Sequence, residues 1–249
     1  MLPELIDLAT LCMLDYTLAT ARSLVLCGMT KLSNAMPIAT SRKYQAILFD
    51  LLTALLDSWS VWNETAGSEE IGRKWRAEYL RRTYGCGSYR PYETLVLEAA
   101  ESVGLNATYV DALAENWARL APWSGVVPTL TLLARTHRLG VVTNCSEQLG
   151  RRAAALAGVR FSVVVTSERA GFYKPDPRPY QLAVDELGST ADRVLFVAGS
   201  AYDLFGTSRV GLDTYWHNRI GLPAPPGAPS PLIESRTLAQ LPALAMRAV

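Results

Sequence analysis

The sequence predicts an α/β fold in which a parallel sheet carries helices on both faces. From residue 127 to residue 216, short apolar runs alternate with segments of helical periodicity, and this alternation is typical of a parallel sheet. An earlier apolar run, residues 44–49, ends directly at Asp50 and predicts a strand that is buried on both faces. The stretch between these two regions has helical periodicity only, which predicts a helical insertion after the first strand.

Composition limits the classes of protein to which the chain can belong. Its 249 residues are 49% hydrophobic and 19% charged, with a formal net charge of +1. This is enough for a well-buried core, either as one large domain or with a second, smaller domain. The near-neutral charge gives no reason to expect nucleic acid or an anionic membrane as a partner. The four cysteines are scattered without a CxxC pair, which argues against structural zinc and favours a reducing cytoplasm.

Residues 1–40 are predicted to form a helical extension. Apolar positions are interrupted by charges such as Glu4, Asp15 and Arg22, so neither a signal peptide nor a membrane-spanning helix is expected. An amphipathic extension would pack on its own domain or on another chain, and the second option predicts a homodimer or a complex with a partner protein. The alternative is upstream translation from a mis-chosen start, with Met36 as the true one.

The predicted insertion contains three helices and is bounded by two linkers. The first linker is predicted at residues 57–67 and the return linker at residues 122–125, because these stretches contain aromatic residues together with glycine or proline. The helical patterns fall within residues 68–120, and a loop with glycines and a proline, residues 84–92, separates the first from the second. The predicted domains are a core, residues 41–58 and 125–249, and a helical cap, residues 59–124.

Elements of the remaining core follow in strict alternation. The expected order is helix 128–137, strand 139–143, helix 147–156, strand 161–166, helix 179–187, strand 194–197, helix 203–210 and strand 214–216. A proline-rich loop at residues 221–230 and a short terminal helix complete the chain.

Five of the six tryptophans lie between Trp59 and Trp123. A helical unit so rich in aromatic residues suits a lid over a binding site, whereas aromatic residues are more often plain core. The sequence leaves both interpretations open.

Polar groups follow four of the predicted strands. They are Asp50, the pair Thr143–Asn144, the loop containing Lys174, and residues 200–203. The carboxyl ends of parallel strands are where such sheets bind ligands. A buried carboxylate at Asp50 is costly unless it is paired, so this residue is either paired structurally or kept for chemistry.

Several local strings resemble motifs of the haloacid dehalogenase superfamily, and more narrowly of the L-2-haloacid dehalogenases. The strings are Phe49-Asp50 with residues 55–57, Trp75-Arg76, residues 119–124, Thr143-Asn144, residues 173–180, residues 195–203 and residues 216–219. The resemblance covers residues 44 to about 221. It implies a Rossmann-like core with a cap inserted after the first strand.

The resemblance also implies roles for individual residues. Asp50 would be a nucleophile that attacks an sp3 carbon and forms an ester that water hydrolyses. Lys174 would hold Asp50 ionised, and Arg76, from the cap, would meet the departing anion or the substrate carboxylate. Asn144 would donate a hydrogen bond to that anion, and Asp203 would orient Lys174 or activate water. A solvated Arg76 and a helix-capping Asp203 are the structural alternatives.

The other residues of the predicted substrate-binding and leaving-group set follow from the same resemblance. Tyr92 and Tyr202 would form aromatic pocket walls. Thr143, Tyr180 and Ser200 stand within the matching motifs, and Thr53 follows the nucleophile closely.

A magnesium-dependent phosphatase is disfavoured by particular positions. Phosphatases of this fold hold Mg²⁺ with additional carboxylates. The second acid expected two residues after the nucleophile is Leu52, and Gly199-Ser200 stands where a Gly-Asp pair is expected. We therefore expect no metal and no cofactor.

The chain also departs from the dehalogenase pattern. Where that family has Tyr, Gly and Thr after the nucleophile, this chain has Leu52, Thr53 and Ala54, and Gly199-Ser200 replaces Ser-Asn. Each lost hydrogen bond to a charged group is worth about 1.5–3 kcal/mol, so ester hydrolysis could be slowed. The Thr53 hydroxyl could replace part of what is lost at Ala54, but this is expected to need a shifted backbone.

Three hypotheses for function follow. The first is a metal-independent haloacid dehalogenase-like hydrolase that acts on a small anionic 2-substituted acid. The second is an enzyme of secondary metabolism in which Asp50 acts as a base for intramolecular displacement, closing a small nitrogen ring such as an aziridine or azabicycle. The third is a binding or scaffold protein on a decayed enzyme fold, with residues 1–35 docking a partner.

Overall fold

The sheet contains six strands, all parallel, and the structure is a computed structural model that describes residues 42–248. The strands are β1 (Ala46–Phe49), β2 (Arg138–Thr143), β3 (Val163–Thr166), β4 (Val194–Ala198), β5 (Asp213–His217) and β6 (Ile233–Ser235). Their spatial order is β3-β2-β1-β4-β5-β6. The predicted α/β class with a parallel sheet is therefore confirmed.

Ten α-helices accompany these strands within residues 42–248. They are α1 (Ser58–Thr65), α2 (Glu69–Cys86), α3 (Tyr92–Ser102), α4 (Ala107–Asn116), α5 (Val126–Leu133), α6 (Glu147–Ala155), α7 (Ser167–Ala170), α8 (Pro177–Glu186), α9 (Asp203–Val210) and α10 (Leu241–Ala245). Short 3₁₀ turns cover Trp117–Arg119 and Ala191–Arg193.

Strand β1 lies in the middle of the sheet, between β2 and β4. All four of its residues are buried, and successive side chains enter different clusters of the core. Ile47 and Phe49 pack in one cluster, whereas Ala46 and Leu48 pack in the other. Because side chains alternate across a strand, both faces of the sheet are covered.

The inserted helices α1–α4 lie between β1 and α5 in the chain. The predicted linker over residues 57–67 is wrong, because most of it is helix α1. Asp57 caps this helix, and its carboxylate accepts hydrogen bonds from Ser60 N (3.0 Å) and Ser60 Oγ (2.6 Å). An aspartate just before a helical segment is a helix-start signal, because its carboxylate can accept from the free backbone N–H groups of the first turn.

The chain leaves the sheet and returns to it at one place. Leu56 and Pro122 form an antiparallel bridge, Asp57 N donates to Ala121 O (2.8 Å), and Trp123 N donates to Leu55 O (2.9 Å). The return linker thus lies beside the outgoing segment. The division into a core and a cap domain at residues 59–124 stays a prediction.

Three of the tryptophans in the insertion belong to its core. Trp62, Trp75 and Trp117 are buried, and the rings of Trp62 and Trp75 meet edge to face at 4.7 Å between centroids. The plain-core interpretation applies to these three. Trp59 differs, and it lines the site described below.

Element bounds in the second half of the chain differ from the predictions in a few places. Helix α9 has its predicted bounds, whereas α5 starts at Val126 and ends at Leu133, earlier than expected. Helix α7 and strand β6 were not predicted. Each is too short to show a periodicity in the sequence, and β6 exists because it pairs with β5 at the edge of the sheet.

The predicted extension over residues 1–40 lies outside the described residues, so its helical structure and its docking on a second chain stay predictions. Within residues 42–248, no helix is long and apolar enough to cross a membrane.

Gly72 makes a close contact between α1 and α2 possible. A Cβ atom at this position would lie 2.5 Å from Asn63 Cα, whereas a Cβ at Gly85, in the last turn of α2, meets nothing within 4 Å. We expect Gly72→Ala to lower the free energy of unfolding by about 1–3 kcal/mol, since backbone atoms cannot yield easily. Gly85→Ala is the matched control and should stabilise by up to about 1 kcal/mol through helix propensity. Urea unfolding measures both, and a Gly72→Ala protein as stable as the unaltered one would contradict the packing.

Candidate active site

The Asp50 carboxylate follows β1 directly and is only 6% exposed. Its Oδ2 atom accepts three hydrogen bonds, from Thr53 N (3.0 Å), Thr53 Oγ1 (2.6 Å) and Ala54 N (3.0 Å). Its Oδ1 atom accepts one, from Lys174 Nζ (2.7 Å). The two oxygens are thus unequal, because Oδ2 is held by three donors while Oδ1 keeps acceptor capacity.

Lys174 connects two buried carboxylates. Its ammonium lies 2.7 Å from Asp50 Oδ1 and 2.9 Å from Asp203 Oδ1. Burial alone would raise the pKa of Asp50, but the Lys174 charge and the hydrogen bonds of the following turn outweigh it and hold this pKa below its ordinary value. Burial likewise opposes the charge on Lys174, but the attraction of Asp203 and Asp50 raises the pKa of the lysine.

Asn144 fixes the backbone of Lys174. Its Oδ1 atom accepts from Lys174 N (2.8 Å) and from Ser167 Oγ (2.9 Å), and its Nδ2 atom donates to Lys174 O (3.0 Å). One of the two amide hydrogens is therefore used within the protein. Asn144 consequently positions the lysine, and only its second amide hydrogen is left for an anion.

Asp203 begins helix α9, whose N-cap is Tyr202, so the alternative role of Asp203 as the helix cap is wrong. Its Oδ1 atom accepts a hydrogen bond from the Tyr180 hydroxyl (2.6 Å). Gly206 makes room for this tyrosine, since a Cβ there would lie 2.3 Å from the Tyr180 ring. Burial raises the pKa of Asp203 and outweighs the attraction of Lys174.

Arg76 is a buried cation on helix α2. It is 4% exposed, which rules out the solvated alternative. Its Nη1 atom donates to Ser58 Oγ (2.5 Å), and its guanidinium lies 4.2 Å from the centre of the Trp59 ring. Its buried Nε has no hydrogen-bond partner among the described residues. Within the described part of the chain, no carboxylate lies within ion-pair distance of it. Burial lowers the pKa of Arg76, but a guanidinium remains charged in proteins.

A cavity of about 50 Å³ brings these groups together. The predicted residues that line it are Asp50, Thr53, Arg76, Thr143, Asn144, Lys174, Ser200 and Asp203. Thr143 Oγ1 is buried there and has no hydrogen-bond partner in the part of the chain that the structure describes. The cavity therefore combines a held carboxylate, an unpaired guanidinium and a free hydroxyl.

Three predicted residues lie elsewhere. Tyr92 packs among the inserted helices, with its ring centre 5.3 Å from that of Tyr79 and 6.2 Å from that of Trp117. Tyr180 lies behind Asp203 and does not line the cavity. Tyr202 is 39% exposed and lines an outer chamber.

Sequence reasoning missed three aromatic residues that do line the cavity: Trp59, Tyr79 and Tyr84. Tyr79 is three residues after Arg76 and so shares its face of α2, and its hydroxyl donates to Asn144 O (3.0 Å). Tyr84 was assigned to a loop but belongs to the last turn of α2. The helical spacing from Arg76 was the signal that could have found Tyr79.

A family model for haloacid dehalogenase-like hydrolases matches residues 47–217, which run from β1 to β5. The chain belongs to this family. The resemblance drawn from the sequence motifs is thereby confirmed, and the enzyme class of the chain is that of a haloacid dehalogenase-like hydrolase.

Curated relatives of this hydrolase are themselves dehalogenases. An (S)-2-haloacid dehalogenase of Pseudomonas sp. (strain YL) is 29% identical over 194 residues, which is 71% of this chain and 84% of that protein. An (S)-2-haloacid dehalogenase 1 of Pseudomonas sp. (strain CBS-3) is 27% identical over 220 residues, covering 82% of this chain and 97% of that protein.

Solved structures share the fold. A dehalogenase crystallised as an intermediate complex is 25% identical, with a TM-score of 0.72 over 83% of this chain and 100% of the other. The L-2-haloacid dehalogenase of Xanthobacter autotrophicus with covalently bound chloropropionic acid is 23% identical, with a TM-score of 0.71 over 81% of this chain and 98% of the other.

Two departures of this hydrolase from the family pattern compensate for each other. A Cβ atom at Gly199 would lie 2.4 Å from both Thr53 Oγ1 and Ala54 N, and 2.7 Å from Asp50 Oδ2. The missing side chain at residue 199 therefore leaves room for the Thr53 hydroxyl beside Asp50. Thr53 N and Ala54 N bind Asp50 together with that hydroxyl, and the expected backbone shift stays a prediction.

The donor set of this hydrolase does not fit a magnesium site. Within residues 42–248 there is no group of three or more His, Cys, Asp or Glu side chains that could hold a metal ion. The two carboxylates of the cavity are already joined by Lys174, and Leu52 contributes an apolar wall.

The contact between Thr53 and Gly199 predicts coupled stability effects. We expect Thr53→Ala to lower the free energy of unfolding by about 1.5–3 kcal/mol, because the Asp50 carboxylate loses the hydrogen bond from the Thr53 hydroxyl. Gly199→Ala should cost about 1–3 kcal/mol through crowding. The double variant should cost less than the sum, by about 0.5–3 kcal/mol, because removing the Thr53 hydroxyl relieves part of the clash. Chemical denaturation measures the cycle, and additive effects would contradict the coupling.

Proposed function

We propose that the protein is a metal-independent hydrolase that displaces halide from small 2-haloacids, with Asp50 as the nucleophile. The observation that carries this proposal is the presence in one cavity of an ionised Asp50 and a buried Arg76 that has no carboxylate partner among residues 42–248. A buried cation without a counter-ion is costly, so the cavity suits an anionic substrate and an anionic leaving group. The names of the curated relatives support the same chemistry.

In the first step, Asp50 Oδ1 attacks C2 of the substrate from the side opposite the carbon–halogen bond. The new C–O bond forms as the halide leaves with the bonding electrons, so the configuration at C2 is inverted and an ester remains on Asp50. Lys174 keeps Asp50 ionised before attack. Arg76 binds the substrate carboxylate or the departing halide, for which its fixed fork of donors is suited.

In the second step, water attacks the ester carbon, Cγ of Asp50. Oδ2 is then the carbonyl oxygen, and the three donors from Thr53 and Ala54 surround the position where negative charge develops. Such pre-positioned donors form an oxyanion hole. Asp203 orients Lys174, accepts one proton from the attacking water and returns it to Oδ1 as the Cγ–Oδ1 bond breaks, and the second water proton is released to solvent when Asp50 ionises again. The 2-hydroxy acid leaves with the original Oδ1, and the water oxygen remains in the Asp50 carboxylate.

A second candidate is intramolecular displacement, in which Asp50 acts as a base for an amine of the substrate. The observation that favours it is Leu52, whose apolar side chain lines the cavity beside Asp50 and offers no hydrogen bond to an attacking water. Arg76 and Lys174 would serve the leaving anion in the same way. The fate of the water oxygen separates the two candidates.

Asp50→Asn should abolish halide release. We expect the unaltered enzyme to release chloride from (S)-2-chloropropionate and the variant to be slower by at least about a thousandfold, because the amide is a poor nucleophile. Ion chromatography measures the chloride. Asp192→Asn, an exposed carboxylate outside the cavity, is the matched control and should retain activity.

Isotope labelling tests the ester itself. In a single turnover in H₂¹⁸O with enzyme in excess, mass spectrometry should find one ¹⁸O atom in the peptide containing Asp50, and unlabelled oxygen in the product hydroxyl. An unlabelled Asp50 together with a cyclic product would favour intramolecular displacement. Halide release with label only in the product would contradict both roles of Asp50.

Lys174 should control the pH dependence of the first step. Because the pKa of Asp50 is held below the ordinary ~3.9, kcat/KM of the unaltered enzyme should stay level from about pH 8 down to about pH 5. In Lys174→Met, burial dominates and raises the pKa of Asp50, so kcat/KM should fall with decreasing pH within that range. kcat/KM reports steps up to halide release, so the proton transfer to Asp203 in the second step does not enter. Carbon-13 NMR of the Asp50 carboxyl gives the same pKa when turnover is slow, and identical acid limbs would contradict the role of Lys174.

A further inference from the structure

A second and larger cavity adjoins the catalytic one. It has a volume of about 550 Å³, compared with about 50 Å³ for the inner cavity. Five residues line both: Trp59, Leu80, Tyr84, Ser200 and Leu222. The two spaces are therefore neighbours, and only these shared side chains lie between the group bound at Asp50 and the outer chamber.

The inner cavity has room only for the reacting part of a substrate. A volume of about 50 Å³ holds roughly three to five water-sized groups. This matches C2, its carboxylate and the leaving group, and little more. A longer substituent on C2 therefore has to lie in the outer chamber.

The lining of the outer chamber is mostly apolar. Ten of its twelve lining residues are apolar or aromatic, and the exceptions are Ser200 and Arg81. Arg81 is already paired with Glu78 at 2.6 Å. The chamber consequently favours an uncharged, apolar group over a second anion.

Two features give the chamber a firm wall. The segment 222–226 supplies Leu222 and three prolines, whose φ angles are fixed by their rings. The Tyr84 ring from α2, which lines both cavities, stacks on the Tyr202 ring at 4.1 Å between centroids. Rigid aromatic and proline surfaces bind an apolar chain without a large ordering cost.

We propose that the preferred substrates are 2-haloacids with an extended alkyl or arylalkyl group on C2, and that this group lies in the outer chamber. The inference rests on the proposed function and specifies its substrate class. The carboxylate and halide bind among Arg76, Lys174 and Thr143, and the chain runs outward past Trp59 and Tyr84.

A length series on the unaltered enzyme tests this directly. We expect kcat/KM for (S)-2-chloro acids to rise from propionate to octanoate by up to about fourfold for each methylene that reaches the chamber. (S)-2-Chloro-4-phenylbutanoate should be at least as good a substrate as the octanoate. Rates that stay level or fall with length would overturn the inference.

Filling the chamber tests its location. Ala77 is exposed on α2 and lines the chamber but not the inner cavity. We expect Ala77→Trp to lower kcat/KM for 2-chlorooctanoate by at least about tenfold, by excluding several methylenes, with 2-chloropropionate unaffected. Ala155→Trp, at an exposed position on α6 outside the chamber, is the matched control. Equal effects of Ala77→Trp on both substrates would overturn the location.

Binding without turnover separates the two proposals. Calorimetry with Asp50→Asn measures the affinity for unhalogenated acids from propionate to octanoate. An affinity that increases with chain length in Asp50→Asn, and no longer does so in the Asp50→Asn, Ala77→Trp double variant, supports the chamber. If the unaltered enzyme then releases halide from none of the acids, only the proposed hydrolysis fails. Halide release from short acids together with length-independent binding overturns the chamber and leaves the hydrolysis in place.

Discussion

The site depends on the ion pairs that the Lys174 ammonium forms with the carboxylates of Asp50 and Asp203. Asp50, Lys174 and Asp203 are all buried, and each would be unstable there alone. Together with Arg76 they form a set of four buried charges that sums to zero. In the first step of the proposed reaction the negative charge of Asp50 moves to the leaving anion near Arg76, so this step transfers a charge within the cavity and creates none. Because the position of the Lys174 ammonium matters in this way, the two hydrogen bonds between the Asn144 side chain and the Lys174 backbone are important to the site.

Residue pairs that are distant in the chain have to be interpreted together. Taken singly, Thr53 and Gly199 each look like a lost contact to the nucleophile. In space the second makes room for the first, and the Asp50 carboxylate regains a hydroxyl donor at 2.6 Å. A single sequence cannot reveal such compensation, because it depends on a distance between two strand ends and not on either local string.

Most of the sheet and the charged residues of the site could be predicted from the sequence. The buried run before Asp50 and the bounds of α9 follow from periodicity, and Asp50, Lys174 and Asp203 follow from the ends of parallel strands. The aromatic wall could not be predicted in full. The family resemblance predicts Tyr92 at the pocket and gives no role to Tyr79. Both tyrosines lie on apolar helix faces, so the sequence alone does not distinguish them. The way α2 and α3 pack decides which ring meets the cavity, and periodicity carries no information about that.

The bridge between Leu56 and Pro122 brings the two ends of the long insertion side by side. The chain therefore leaves the sheet after β1 and returns to it at nearly the same place, so that a tight turn could join the two points. Loops and helix lengths between these two points can change while the nucleophile, its lysine and their supporting strands keep their registers, provided that α2 keeps Arg76 at the cavity. The insertion can thus alter specificity through its own lining residues while the strand ends that carry Asp50, Lys174 and Asp203 stay in place.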